Sequence, residues 1–309
     1  MHVPRRTESQ VRKPDVPSRA ALCQESWPRI LDDLFALPRT EHDDLRRLLD
    51  RTTMSKLIAA NTTIANRLDF LAALRDMVFD PATSKQVKER KELHEILEWE
   101  LWLFGEEYGL LLSLRGLDQV LARHIGTLRP DQKKARRATS SPVRRADGSR
   151  GIVDLMLAQQ RKGVSVTENL VVELKRPAVK ITNKEAGQIK EYAEAVASDP
   201  QFHGFNVRWD FWAISTEIDA VVARDASGNH LPLGMIADWS NGVRVWAKTW
   251  SQLIGDCEAR LRHYKEALEH DASSEHAAEY INRAHDPAHI PAPFKVAEAN
   301  RAPDGATTP

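Results

Sequence analysis

The sequence has little of several features that mark whole classes of protein. Its 309 residues include two cysteines, Cys23 and Cys257, which are too few for a disulfide framework or a cysteine zinc site and fit a reducing cytoplasm. The longest apolar runs, such as Gly109–Leu114, are too short to span a membrane, and no apolar stretch near the N-terminus is typical of a signal peptide. We therefore predict a soluble, cytoplasmic protein without a membrane partner.

The motifs of several common enzyme classes are also missing. No G-x-x-x-x-G-K-[ST] loop occurs, which argues against nucleotide hydrolysis by this chain. Neither the G-x-S-x-G motif of serine hydrolases nor the H-E-x-x-H motif of zinc proteases is present. Any catalytic chemistry must therefore come from another arrangement of residues.

The composition is that of a folded protein with a sizeable core. Hydrophobic residues make up 42% of the chain and charged residues 28%, and 44 basic residues balance 44 acidic ones. The length allows one large domain or two modest ones. We predict a disordered basic tail (1–20), a helical N-terminal region (21–80), a central domain (81–271) and a disordered C-terminal tail (285–309). Asp80-Pro81 marks the main boundary because proline ends the helical pattern.

The N-terminal region carries three apolar stripes at helical spacing. The third stripe is close to a heptad repeat, which could seed a dimer, although such stripes are more often core and we favour that interpretation. The stripes consist of Trp27, Ile30, Leu31, Leu34 and Phe35; of Leu45, Leu48 and Leu49; and of Leu57, Ile64, Leu68, Leu71, Leu74 and Val78.

Three charged residues stand in two otherwise apolar, strand-like segments. Asp154 lies in Ile152–Leu157, while Glu173 and Lys175 end Asn169–Arg176. An ionised carboxylate among Val and Leu is costly unless it is paired or binds a metal. Two acids and a lysine are what metal-assisted phosphodiester hydrolysis needs, because the acids can bind Mg²⁺ and the lysine can sit near the scissile phosphate. The alternative is an edge hairpin whose charges form surface salt bridges.

Asp154, Glu173 and Lys175 resemble the D…(E)xK signature of the PD-(D/E)XK nucleases, with Val153 in place of the proline. A second E-x-K triplet, Glu89–Lys91, lies in a charged helical stretch without an apolar strand. The resemblance implies an α/β, restriction-endonuclease-like core, a mixed sheet flanked by helices, here preceded by the helical N-terminal region. It also implies that the two acids bind Mg²⁺ or Mn²⁺ and that Lys175 positions or activates water.

The segment after these strands extends the resemblance. Asn183–Ser198 is predicted to be a helix with Asn183 as its N-cap, and Gln188 and Tyr192 share one of its faces. The Q-x-x-x-Y pair is similar to a motif of RecB-like members of the same superfamily. That similarity implies that Gln188 orients Lys175 and that Tyr192 lies nearby.

The segment before the strands, Glu89–Tyr108, also carries a resemblance. Its helical pattern leads into Trp102-Leu103-Phe104-Gly105, and Leu101 stands where the related motif has proline. This segment resembles the opening of the nuclease domain of Shedu-type bacterial defence proteins. The resemblance implies that Glu92 is a helix glutamate of the metal site, with Glu95 as the alternative one turn along. A charged helix can equally be a solvated face.

Positive charge is concentrated in Arg129–Arg150, directly before the Asp154 strand. Eight Lys or Arg residues stand there against two Asp residues, which gives a local net charge of +6. Such a run attracts a phosphate backbone, so we predict contact with DNA; the alternative is a solvated loop. The candidate DNA-binding residues are Lys133, Lys134, Arg136, Arg137, Arg144 and Arg145.

Three further elements are predicted in the C-terminal part of the chain. Asn206–Ser215 is predicted to be a core strand, Arg224–Leu233 to contain a hairpin turn, and Trp250–His270 to be the last helix.

These observations favour a Mg²⁺-dependent (endo)deoxyribonuclease. If the family resemblance holds, it acts in defence against phage or plasmids and forms a homo-oligomer. Two other classes stay open. One is a catalytically inactive nuclease-fold protein that binds DNA or has a regulatory role, and the other is a structural protein that assembles through the N-terminal region.

Overall fold

The computed structural model describes six stretches of the chain. Contacts divide the chain into two compact units, Met1–Thr62 and Thr63–Pro309, and the division falls inside a helix. The described stretches are residues 27–116, 152–160, 167–198, 207–227, 231–239 and 242–295.

The N-terminal region is helical, as its apolar stripes predict. It forms α1 (Trp27–Ala36), α2 (Arg39–Leu49) and α3 (Met54–Phe79), and α3 ends immediately before Asp80-Pro81. The C-terminal half of α3 lies in the core of the second unit because its apolar side chains are buried there. The near-heptad stripe is therefore core along Leu68, Leu71, Leu74 and Val78.

One six-stranded mixed sheet organises the second unit. Its strand order is β1-β2-β3-β4-β6-β5. The pairs β1–β2, β2–β3 and β5–β6 are antiparallel, while β3–β4 and β4–β6 are parallel. The strands are β1 (Gly109–Gly116), β2 (Ile152–Gln160), β3 (Thr167–Leu174), β4 (Val207–Ser215), β5 (Met235–Trp239) and β6 (Val243–Thr249).

Helices flank the sheet, so the predicted α/β class with a mixed sheet is confirmed. One face contributes Leu155 and Val172 to a core with α3, α7 and α8, and the other contributes Met156 and Val171 to a core with α5 and α6. Strand residues alternate between the two cores, as the pleat of a strand requires. The helices after α3 are α4 (His94–Leu97), α5 (Asn183–Ala197), α6 (Ala220–Ser227), α7 (Trp250–Leu268) and α8 (Ser274–Ala284).

Two local predictions need correction. Thr182, not Asn183, is the N-cap of α5, because the Thr182 side chain accepts the Lys184 N–H while Glu185 accepts the Thr182 N–H. The hairpin predicted for Arg224–Leu233 is wrong at its start, because residues 224–227 belong to helix α6. The Asp219 carboxylate caps this helix by accepting the backbone N–H groups of Val221 and Val222. The antiparallel hairpin is formed instead by β5 and β6.

The segment from residue 285 to 295 is ordered, although its proline-rich composition predicts disorder. Ile290 and Phe294 are buried in the core that contains α3 and α8. Burial of these two apolar side chains thus stabilises a segment whose average composition predicts disorder. The predicted tails at 1–20 and 296–309 lie outside the described residues.

A buried acid, Glu100, ties the chain before β1 to α8. Its carboxylate accepts hydrogen bonds from Tyr280 OH (2.6 Å) and Trp102 Nε1 (2.7 Å), and His285 Nε2 lies 3.3 Å away. Burial favours the neutral acid, but the contacts with His285, Tyr280 and Trp102 outweigh it and lower the pKa of Glu100. Glu100 is therefore expected to stay ionised and to stabilise the fold.

Glu100→Gln should reduce the free energy of unfolding by about 1–3 kcal/mol at neutral pH, because the amide loses charge-assisted hydrogen bonds. A carboxyl whose pKa is lowered by folding stabilises the native state above its unfolded pKa, and this contribution is lost as pH falls through the folded pKa. The difference between wild type and variant should thus shrink on acidification. Urea unfolding at neutral and acidic pH measures it.

The matched control is Glu106→Gln, whose carboxylate pairs with Arg67 and is 56% exposed. Surface pairs contribute little, so this variant should lose less than about 1 kcal/mol. A Glu100→Gln penalty that is the same at both pH values would contradict the assigned role of the Glu100 charge.

Candidate active site

The pairing of β2 with β3 brings two buried acids to one face of the sheet. Leu155 lies opposite Val172, and one step further along this register sets Asp154 opposite Glu173. Leu155 and Val172 face the core beneath α3 and α7, so the alternation of side chains puts the two acids on the opposite face, beneath α5. Asp154 is 2% exposed and Glu173 is 5% exposed.

Asp154 is held by contacts to both its side chain and its backbone. Its Oδ2 accepts the backbone N–H of Leu174 at 2.7 Å, which ties the end of β3 to the start of β2. Its carbonyl oxygen lies 3.1 Å from Nε2 of the fully buried His94. Because a carbonyl oxygen only accepts, Nε2 must carry the proton in this contact.

Lys175 lies at the centre of a hydrogen-bonded group formed by β3 and α5. Its Nζ donates to Glu173 Oε1 at 2.9 Å and to Gln188 Oε1 at 3.3 Å. Gln188 Nε2 donates in turn to Glu173 Oε1 (2.8 Å) and to the Tyr192 hydroxyl (3.3 Å). The Lys175 side chain is only 12% exposed. The structure thus brings together Glu173, Lys175, Gln188 and Tyr192, and Asp154 joins this end of β3 through its bond with the Leu174 N–H.

The helix α5 positions Gln188 because its own sequence fixes where it begins and which face it buries. The capping box of Thr182 and Glu185 sets the first turn. Burial of Glu185 opposes its ionisation, but hydrogen bonds from Thr182 and the charge of Lys175 outweigh that effect and lower the pKa of Glu185. Buried residues at helical spacing then hold α5 against the sheet; they are Ala186, Ile189, Tyr192, Ala193 and Val196.

A second group of possible metal ligands lies on α4 and the residue after it. One ligand atom each from His94, Glu95 and Glu98 can be chosen so that all lie within 4.8 Å of one another. Glu95 Oε1 is 3.9 Å from His94 Nδ1, and Glu98 Oε1 is 3.4 Å from His94 Nε2. Because His94 contacts the Asp154 backbone, this group adjoins the start of β2.

Glu92, the helix glutamate favoured from the sequence, occupies a different setting. Glu92 lies in a π-helical turn, Glu89–Leu93, and its carboxylate accepts the backbone N–H of Lys88, the residue before that turn, at 2.9 Å. Glu95, the alternative, belongs to the group on α4, and sequence reasoning missed His94 and Glu98. The spacing i, i+1 and i+4 in His-Glu-Ile-Leu-Glu was the available signal.

Six cationic residues are predicted from the sequence to contact DNA. They lie outside the described residues. These residues are Lys133, Lys134, Arg136, Arg137, Arg144 and Arg145.

No family model, no curated protein and no solved structure matches the chain. Among the helices that the structure describes, none is both long enough and apolar enough to cross a membrane. The chemistry of the site is therefore inferred from its side chains, which are carboxylates, one lysine, one amide and one imidazole.

Mn²⁺ should raise the unfolding temperature of the wild-type protein. A ligand that binds only the folded state stabilises it by about 2.7 kcal/mol at 100 times its Kd. Asp154→Asn should abolish this ion-dependent increase because it removes a buried anionic ligand, while Asp238→Asn, which changes an exposed strand aspartate, should preserve it. Thermal scans with and without Mn²⁺ measure the difference.

Glu98→Gln separates the two groups of acids. Loss of the increase in Glu98→Gln but not in Asp154→Asn would place the ion on α4 alone. An unchanged increase in both variants would contradict ion binding at either group.

Proposed function

We propose that this chain is a metal-dependent deoxyribonuclease with a restriction-endonuclease-like core. The observation that carries the proposal is the Lys175 amine, which donates to both Glu173 and Gln188 on a side chain that is 12% exposed, directly after the residue whose N–H binds Asp154. The side chains of Glu173, Lys175 and Gln188 are hydrogen-bonded to one another, and the register of the neighbouring strand sets Asp154 opposite Glu173, where a sheet ordinarily buries apolar groups. Enzymes concentrate buried charge in this way where it acts on a substrate.

The order of elements also supports the proposal. Helix α4, strands β1 to β3, helix α5 and strand β4 follow one another as helix, strands, helix and strand. The two acids come from the antiparallel pair β2–β3, and the parallel strand β4 follows α5. This is the arrangement that the resemblance to the PD-(D/E)XK nucleases implies.

The donor set fits a hard divalent cation. Asp154 and Glu173 would hold Mg²⁺ or Mn²⁺, because both ions prefer carboxylate oxygens. Glu95 or Glu98 on the adjoining α4 would supply the helix acid in place of Glu92. When bound, the ion would stabilise negative charge on the scissile phosphate.

The roles of the remaining side chains follow from their contacts. Lys175 would stabilise charge that builds on the phosphate, and its burial makes this effect larger than it would be in water. Gln188 holds both Lys175 and Glu173, so it would act as a positioning residue. Tyr192 supports Gln188 from the next turn of α5.

The substrate and the process are extensions of the same proposal. DNA is the partner that the basic segment Arg129–Arg150 would attract, since this segment has a net charge of +6 in an otherwise neutral chain. The similarity to Shedu-type nuclease domains points to defence against phage or plasmids.

A nuclease-fold DNA-binding protein without hydrolytic activity is the second candidate. It is favoured by the same contacts, because Lys175 pairs with Glu173 and Leu174 binds Asp154, so these acids have partners within the protein. Such pairing would be sufficient for a purely structural site.

Supercoiled plasmid incubated with the protein and Mg²⁺ should be nicked by wild type, and the rate should fall at least about 100-fold in Asp154→Ala and Lys175→Ala. Lys91→Ala is the matched control: Lys91 ends the second E-x-K triplet and is exposed, so its loss should leave the rate unchanged. Gel electrophoresis with and without Mg²⁺ measures nicking.

Equal nicking by wild type, Asp154→Ala and Lys175→Ala would reject the assigned site. Absence of nicking in all of them, together with Mg²⁺-independent DNA binding by wild type, would favour the inactive DNA-binding protein instead.

A further inference from the structure

An exposed tryptophan lies at the end of α4. Trp99 is 80% exposed, which makes it the most exposed large apolar side chain among the residues that the structure describes. Within that part of the chain its indole makes no hydrogen bond and touches no other ring or cation. Trp102, by contrast, bonds to Glu100 and packs against the core. Trp99 therefore contributes little to the stability of the fold.

Trp99 adjoins the group of possible metal ligands on α4. It directly follows Glu98, and consecutive Cα atoms are about 3.8 Å apart. The side chains of Glu95 and Glu98 are 32% and 23% exposed, whereas His94 is fully buried and contacts the Asp154 backbone. This group is thus open to solvent at the surface that also carries Trp99.

The loop from β3 to α5 adds exposed positive charge next to the same site. Residues 175–184 include four cationic residues and no acidic one. Lys180 pairs with Glu217 at the surface. Lys184 is exposed in the first turn of α5, where the helix N-terminus also favours anions. The four cations are Lys175, Arg176, Lys180 and Lys184.

An exposed aromatic ring and exposed cations beside one site fit a nucleic-acid strand whose bases are unpaired. Within a duplex each base is covered on both faces by its neighbours, so it has no free face for an indole. An unpaired base can stack on an aromatic side chain, and cations bind the phosphates of either form. The ring, rather than the positive charge, therefore discriminates between single and double strands.

We propose that the site binds single-stranded or locally unpaired DNA, with a base stacked on Trp99 and backbone phosphate bound by Lys184. This inference rests on the proposed nuclease function and names the form of DNA that the nuclease acts on. The acids of β2, β3 and α4 repel phosphate until a divalent ion neutralises them, so strand binding should be stronger with the ion than without it.

Fluorescence anisotropy with a labelled oligonucleotide and its duplex tests the preference. Ca²⁺ replaces Mg²⁺ because it binds the same kind of oxygen ligand, and a gel checks that the DNA stays intact. The wild-type chain should bind the single strand at least about fivefold more tightly than the duplex, because stacking of one base contributes this much. Trp99→Ala should abolish the preference and Trp99→Phe should keep most of it.

The matched control for Trp99 is Leu233→Ala, since Leu233 is 74% exposed and is not aromatic. This variant should keep the wild-type preference. All of these variants should unfold at the wild-type temperature because the substituted side chains are exposed, and thermal scans check this.

The salt dependence of binding tests the role of Lys184. Lys184→Ala should reduce the slope of log Kd against log salt concentration by about 0.7, the value for one phosphate contact with a single strand. Lys265→Ala changes an exposed lysine of α7, which packs on the other face of the sheet, and should leave the slope unchanged.

The inference and the proposed nuclease can fail separately. Equal binding of both forms, or a preference that persists in Trp99→Ala, would overturn the inference, while plasmid nicking by the same preparation would still support the nuclease. A wild-type chain that binds neither form would also overturn it. An unchanged salt slope in Lys184→Ala would remove Lys184 from the binding surface.

Discussion

The contact between Lys175 and Glu173 constrains the structure around it. Both side chains are almost completely buried, and a buried charge is tolerated only with a partner of good geometry and further hydrogen bonds. Gln188 supplies those bonds to both residues at once. The position of α5 is thereby tied to the end of β3, and the capping box at Thr182 fixes where α5 begins. The charges of Lys175 and Glu173 are therefore stabilised only when both β3 and α5 are in place.

Asp154, on the same face as Glu173, is held by two other contacts. Its carboxylate binds the backbone of β3, and its carbonyl oxygen binds His94 at the start of α4. Movement of α4 would therefore shift the start of β2 and the acid that it carries. Helix α4 packs in the core with α3, α7 and α8, Tyr192 packs in the core with α5 and α6, and β2 contributes side chains to both cores.

Much of the site could be predicted from the sequence because strand alternation is a simple rule. Charged residues in apolar strands single out Asp154, Glu173 and Lys175, and helical spacing puts Gln188 on one face with Tyr192. The link from Gln188 to Lys175 comes from the resemblance of the Q-x-x-x-Y pair and does not follow from spacing. The helix acid was harder to predict. Glu92 is named by the resemblance alone; it lies in a π-helical turn and its carboxylate accepts the Lys88 N–H, whereas the alternative, Glu95, lies near His94 and Glu98. Tertiary contacts decide the rest: Ile290 and Phe294 order a segment whose composition predicts disorder.

The central claim is that the acids of β2 and β3 share a divalent ion beside Lys175. Its most direct test is a crystal structure of the protein grown with Mn²⁺, with anomalous diffraction recorded on the manganese edge. The account predicts an anomalous peak between the Asp154 and Glu173 carboxylates at oxygen-ligand distances of about 2.0–2.3 Å. A map without a peak there, with Lys175 still bonded to Glu173 and Gln188, would contradict it.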